Sequence, residues 1–136
     1  MLFRSNGAHT CLVSGGFTLF TARIAAMIGF NEDRANILDI ANDKFAGTVT
    51  EPILGKQAKL ATLKELTARF NLKRDETLAI GDGANDIPMI QGAGLGVAYH
   101  GKPAVAAAAP AQIDHGDLTA LLFVQGYRRS EFITPK

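Results

Sequence analysis

Two apolar, β-rich runs in this chain close in glycines and then give way to a helical pattern: HTCLVSGG leads into FTLFTARIAAMIGF, and ETLAIGDG leads into ANDIPMIQGA. A strand that turns through glycine into a helix comes back to its sheet as a parallel neighbour, whereas antiparallel partners need only a short hairpin. The pattern predicts an α/β chain whose parallel sheet is covered by helices on both faces. Ligands in such folds sit at the carboxyl ends of the strands. Two of those ends carry polar chemistry, SGG at residues 14–16 and GDGAND at residues 81–86, and they are candidates for two walls of one site.

The remaining stretches fill in this frame. Phe17, Phe20, Ile24, Met27 and Ile28 fall on one face of the first helical pattern. ANILDIANDKFAGTVT holds two short β-like runs around Asn42 and Asp43, which suit the tight turn of a hairpin. KQAKLATLKELTARF repeats the helical spacing through Leu60, Leu63, Leu66 and Phe70, with Lys and Glu opposite. GLGVAYH reads as a third strand, KPAVAAAA as a brief helical turn and DLTALLFVQ as a closing helix. The expected organisation is one core domain over residues 1–125 and a mobile, proline-broken tail over 126–136.

Composition excludes several classes of function. A chain of 136 residues with 47% hydrophobic side chains buries one sizeable core. Fourteen basic residues against thirteen acidic ones, with no run of like charge, do not suit a nucleic-acid backbone or an anionic membrane. No apolar stretch approaches a membrane span, and MLFRSNGAHT is not a secretory signal. The single Cys11 has no second cysteine to pair with in the chain, so a reducing, cytoplasmic setting is expected. His9, His100 and His115 lack metal-ligand spacing.

GDGAND invites a dinucleotide-binding reading, because it follows a strand and precedes a helix. Its residue types refuse it. Asp86 stands where close helix packing needs the third glycine, and Asp82 would face the pyrophosphate with an unneutralised carboxylate. The two carboxylates make sense with a hard divalent cation between them and a phosphate. Mg²⁺ takes one or two carboxylates, several waters and substrate phosphate oxygens.

LVSGGFT, a lysine ahead of a helix, AIGDGANDIPMI and AGLGVAYHGKP, in that order, resemble the haloacid dehalogenase-like phosphohydrolases, and within them the phosphoserine phosphatases. The resemblance covers residues 9–103. It implies a three-layer α/β/α Rossmann-like core and Mg²⁺-dependent hydrolysis of L-phosphoserine to serine and phosphate, in serine biosynthesis. Ser14 matches the serine that hydrogen-bonds the phosphoryl group, and the Gly15 N–H matches a second phosphate donor. The positive end of the following helix would point the same way. Asp82 matches the residue that ligates Mg²⁺ directly. Asp86 matches the second acidic residue, which supports the metal and its waters, and Asn85 one that hydrogen-bonds the substrate end of the site. Lys56 and Lys59 both stand near the place of the family's lysine. The pattern favours Lys59, whose role would be to neutralise charge on the phosphoaspartate and the transferring phosphoryl group. Lys102 in HGKP ranks below these.

The chain also departs from the family's pattern. The family's nucleophile and general acid lie in a D-x-D-x-T strand in the middle of the sheet, between the strand ending at SGG and the one ending at GDG. No D-x-D occurs in this sequence. The central strand and the cap inserted after it are expected to be missing, leaving the chain inactive alone and prone to self-association or to pairing with a chain that supplies the strand. A second reading is a catalytically dead module that binds Mg²⁺ and phosphate, and a third is a phosphatase acting on another small phosphate ester. Taken singly, Ser14, Gly15 and Gly16 would simply end a strand and cap a helix, and a lysine early in an amphipathic helix is ordinarily solvated.

Overall fold

β1 (Cys11–Phe17) and β2 (Glu32–Asn36) pair in parallel across α2 (Thr18–Ile28), with Cys11 opposite Glu32, Leu12 opposite Asp33 and Val13 opposite Arg34. The computed structural model describes residues 2–133, which divide into two units, one of residues 2–55 with Ile133 and one of residues 56–132. A short helix, α1 (Leu2–Ser5), precedes the β1–α2–β2 motif. Gly29, at φ 93°, closes α2 in the left-handed conformation and donates its N–H to the Ala25 carbonyl.

The register of β1 and β2 is broken once. After Val13 opposite Arg34, the next pair is Phe17 opposite Asn36, so four steps along β1 match two along β2. Ser14, Gly15 and Gly16 bulge out of the ladder and the strand resumes at Phe17. SGG was expected to end the strand, with Phe17 already helical. The glycines instead absorb the extra length, and the β-prone aromatic re-enters the sheet.

α2 also packs differently from the sequence expectation. Thr21 and Ala25, one turn apart, are its buried residues, and the Thr21 hydroxyl donates to an Asp33 carboxylate oxygen at 2.6 Å. These small side chains let the helix approach the strands closely. The stripe of Phe20, Ile24, Met27 and Ile28 lies outward, with Phe20 64% and Met27 74% exposed. The spacing located a face, and the contact with β2 falls on the other one.

β3 (Leu38–Ala41) and β4 (Lys44–Val49) make the expected hairpin. Asn42 and Asp43 form its two-residue turn at φ 52° and 59°, both left-handed, as the twist of a tight hairpin requires. Their side chains tolerate that region better than most.

In the second unit, β5 (Leu78–Gly81), β6 (Leu95–Tyr99) and β7 (Ala111–Ile113) form a parallel sheet in that order. The connections are α4 (Ile87–Gly92) and α5 (Pro103–Ala108), with α3 (Lys56–Arg69) before the sheet and α6 (Thr119–Val124) after it. Ile90, Ala98 and Val105 centre the core, and Gly96 is a glycine because a Cβ there would collide with the Ile90 carbonyl. β7 was not anticipated. On α3, Lys59 and Thr62 are buried, Leu60, Leu63 and Leu66 are partly so, and Phe70, expected on the packed face, lies exposed beyond the helix end.

Among the described residues β1 pairs only with β2, and β5 only with β6, so each is an edge strand. Arg129–Glu131 forms a 3₁₀ turn, and the Phe132 ring lies 5.1 Å from that of Phe123. Thr134–Lys136 of the expected tail lie outside the described residues. No helix among the described residues is long and apolar enough to cross a membrane.

Candidate active site

β5 ends at Gly81, the 3₁₀ turn Ala84–Asp86 follows, and α4 begins at Ile87, so GDGAND is the connection at the carboxyl end of a parallel strand. Asp86 is the keystone of this turn. The residue is 4% exposed; one carboxylate oxygen accepts from the Lys59 ammonium at 2.5 Å, and the other from the backbone N–H groups of Asp82 and Gly83 at 3.1 and 3.0 Å. These bonds curl the turn around the carboxyl group, compensating the loss of water around a buried charge. A Cβ on Gly81 would sit inside van der Waals contact of the Asp86 carboxyl group, and one on Gly83 would strike the Asn85 side-chain oxygen at 2.7 Å. Gly81 clears space for the buried Asp86, whereas the exposed end of Asn85 can move aside at Gly83.

Lys59, 8% exposed on the first turn of α3, completes the pair, while Lys56 is exposed. Its charge is spent on Asp86. Asp82 is exposed, and its carbonyl accepts from the Lys102 N–H at 3.2 Å, which ties the loop after β6 to the turn. The Asp82 carboxylate is thus the negative group that the turn presents to solvent. Asn85 is exposed beside it.

Among the described residues no three His, Cys, Asp or Glu side chains gather into a metal cage. Asp86 has both oxygens committed to donors, and Asp82 is open. This donor set would suit Mg²⁺, an ion that takes one or two carboxylates and draws its other ligands from water and phosphate oxygens. Asp86 would then act by holding the Asp82 and Gly83 backbone in place.

In the first unit, the Ser14–Gly16 bulge is organised on its own terms. Ser14 is half-buried, and its Oγ accepts from the Gly16 N–H at 3.0 Å; Gly15 and Gly16 are exposed. α2 starts two residues later, so its positive end lies close in sequence to the bulge. The Gly15 carbonyl accepts from the side-chain amide of Asn36, which the sequence reading did not single out. The available signal was a polar, β-averse residue inside a strand.

The family model for haloacid dehalogenase-like hydrolases matches residues 31–122. A phosphoserine phosphatase of Streptococcus thermophilus is 43% identical over 114 residues, covering 84% of this chain and 53% of the relative. One from Saccharomyces cerevisiae is 35% identical over 121 residues, covering 88% of this chain and 39% of the relative. Among solved structures, a probable phosphoserine phosphatase from Vibrio cholerae superposes with a TM-score of 0.87 at 32% identity, covering 90% of this chain and 38% of that one. A substrate-bound phosphoserine phosphatase complex superposes with a TM-score of 0.81 at 32% identity, covering 89% and 58%. The mixed α/β fold with parallel sheets is the fold of these neighbours. The chain spans about half the length, or less, of the curated relatives it matches.

Proposed function

We propose, because the chain belongs to the haloacid dehalogenase-like hydrolase family, that it serves Mg²⁺-dependent hydrolysis of a small phosphate monoester, with L-phosphoserine as substrate and serine formation as the biological setting. The observation that carries this reading is the Gly81–Asp86 turn, which spends its lysine on Asp86 and offers the Asp82 carboxylate to solvent. An anionic phosphate approaching that carboxylate needs a cation between them. The choice of substrate is supported by relatives at 34–43% identity that bear the name phosphoserine phosphatase.

Asp82 would hold Mg²⁺ directly, with Asp86 fixing the peptide groups on either side of it. When bound, the ion supplies positive charge to the phosphoryl oxygens. Lys59 balances the buried Asp86 carboxylate and so holds the turn in place, and Asn85 is assigned to the substrate end of the site. The Ser14 hydroxyl and the Gly15 N–H are assigned to phosphoryl oxygens, with the start of α2 favouring the anion.

An aspartyl nucleophile of the D-x-D-x-T type is not among these 136 residues. We therefore assign the chain the metal- and phosphate-holding part of the reaction and place the nucleophile and general acid on another segment, in a cytoplasmic setting. The same fact favours a second reading, a module that binds Mg²⁺ and phosphate without turnover. Self-association, or pairing with the chain that supplies the strand, belongs to the proposal and is supported by the edge strands β1 and β5.

The test is phosphate release from L-phosphoserine with Mg²⁺, beside calorimetric titration with inorganic phosphate, for the chain and for Asp82→Asn. The expected result is Mg²⁺-dependent phosphate binding that Asp82→Asn loses, and release no greater than that of the variant. Adding a polypeptide that carries D-x-D-x-T is expected to bring release, and no release in that mixture would favour the binding module. Absence of Mg²⁺-dependent binding would sink both readings.

A further inference from the structure

Extruding Ser14–Gly16 from the ladder leaves backbone groups that need other partners, and the Asn36 side chain takes up one of them while also holding the backbone at Leu54. Asn36 ends β2 opposite Phe17 and is 6% exposed. Its Nδ2 donates to the Gly15 carbonyl at 2.9 Å, and its Oδ1 accepts from the Leu54 N–H at 2.6 Å. A carbonyl only accepts and an N–H only donates, so these two partners fix which end of the amide faces which way.

The peptide group is planar, so the Gly15 carbonyl and the Gly16 N–H lie in one plane and point in opposite directions. Anchoring the carbonyl sets the direction of the N–H. That N–H donates to Ser14 Oγ, which leaves the hydroxyl proton of Ser14 to be given to a ligand. We propose that Asn36 is a positioning residue for phosphate binding: it clamps the Gly15–Gly16 peptide so that Ser14 is presented as a hydrogen-bond donor. The inference rests on the phosphate-binding reading of this bulge, and it adds a residue that never touches the phosphate itself.

The discriminating variant is Asn36→Asp. It keeps the size of the side chain and an oxygen for the Leu54 N–H, but turns an oxygen toward the Gly15 carbonyl in place of the donor. NMR titration of the ¹⁵N-labelled chain with inorganic phosphate and Mg²⁺ reads affinity at Ser14, Gly15 and Gly16, and amide exchange reads the clamp. The expected result is about tenfold weaker phosphate binding, the effect of one lost hydrogen bond, with faster exchange at Gly16 and unchanged exchange at Leu54. Lowering the pH to protonate the introduced carboxyl restores a donor, so the ratio of the two affinities should move back toward one.

Equal affinity in wild type and variant would overturn the positioning role, as would unchanged exchange at Gly16. Should Asn36→Asp not fold, Asn36→Gln makes the same comparison with an amide one methylene too long. Failure of phosphate to bind the wild-type chain defeats the underlying reading, and the positioning role with it. Failure confined to the comparison with the variant defeats the positioning role alone.

Discussion

The ammonium of Lys59 and a carboxylate oxygen of Asp86 lie 2.5 Å apart with both side chains buried, so the connection after β5 is fastened to α3 by an ion pair shielded from solvent. Removing one partner of such a pair leaves an uncompensated charge and costs about 3–5 kcal/mol. Asp86→Ala is expected to cost more than Lys59→Met, because it also orphans the N–H groups of Asp82 and Gly83. Urea unfolding of the two variants checks the order, and equal losses would show that the amide bonds contribute little.

Gly81→Ala should fail where Gly55→Ala does not. A Cβ at Gly81 meets the Asp86 carboxyl group, whereas one at Gly55 meets nothing within 4 Å. The overpacked site is expected to lose about 1–3 kcal/mol, and the open one to stay within about 0.5 kcal/mol of wild type. Thermal melts of the pair decide it; a tolerated Gly81→Ala would mean that the turn relaxes without its keystone.

The sequence made the strand-to-helix connections legible because glycine placement is a backbone property that needs no neighbours to be read. The Asn42–Asp43 hairpin turn was legible for the same reason. Burial was less so. Periodicity located an apolar stripe on α2, but which face packs depends on the closeness of β2, and Thr21 and Ala25 win because they are small. The burial of Lys59 was hidden too, since a lysine in an amphipathic helix reads as solvated until its carboxylate, twenty-seven residues away, is seen beside it. Asn36 escaped notice because its work is done between Gly15 and Leu54, contacts that no local pattern encodes.

The exposed stripe of α2 gives a stability prediction opposite to the one that periodicity suggests. Phe20→Ser and Met27→Ser remove side chains that lie mostly in water, so each should stay within about 0.5 kcal/mol of wild type. Ala25→Leu adds volume at a buried position and should cost about 1–3 kcal/mol. If Met27→Ser destabilised as strongly as Ala25→Leu, Met27 would have to be covered in solution.

The hairpin carries a pH dependence whose sign follows from Asp39. Its carboxylate accepts from the hydroxyls of Thr48 at 2.6 Å and Thr50 at 2.5 Å. The Thr48 bond, then the Thr50 bond, hold its pKa below the ordinary aspartate value. Hydrogen bonds to the charged form favour it in the folded chain, so the folded pKa lies below the unfolded one. The contribution to stability is fully present above the unfolded value, about 3.9, and is lost as the pH falls through the folded value. Carboxyl-carbon NMR titration should place the Asp39 midpoint below that of an unstructured aspartate, and Thr48→Ala with Thr50→Ala should move it back up. A midpoint indifferent to the double substitution would show that the hydroxyls do not set it.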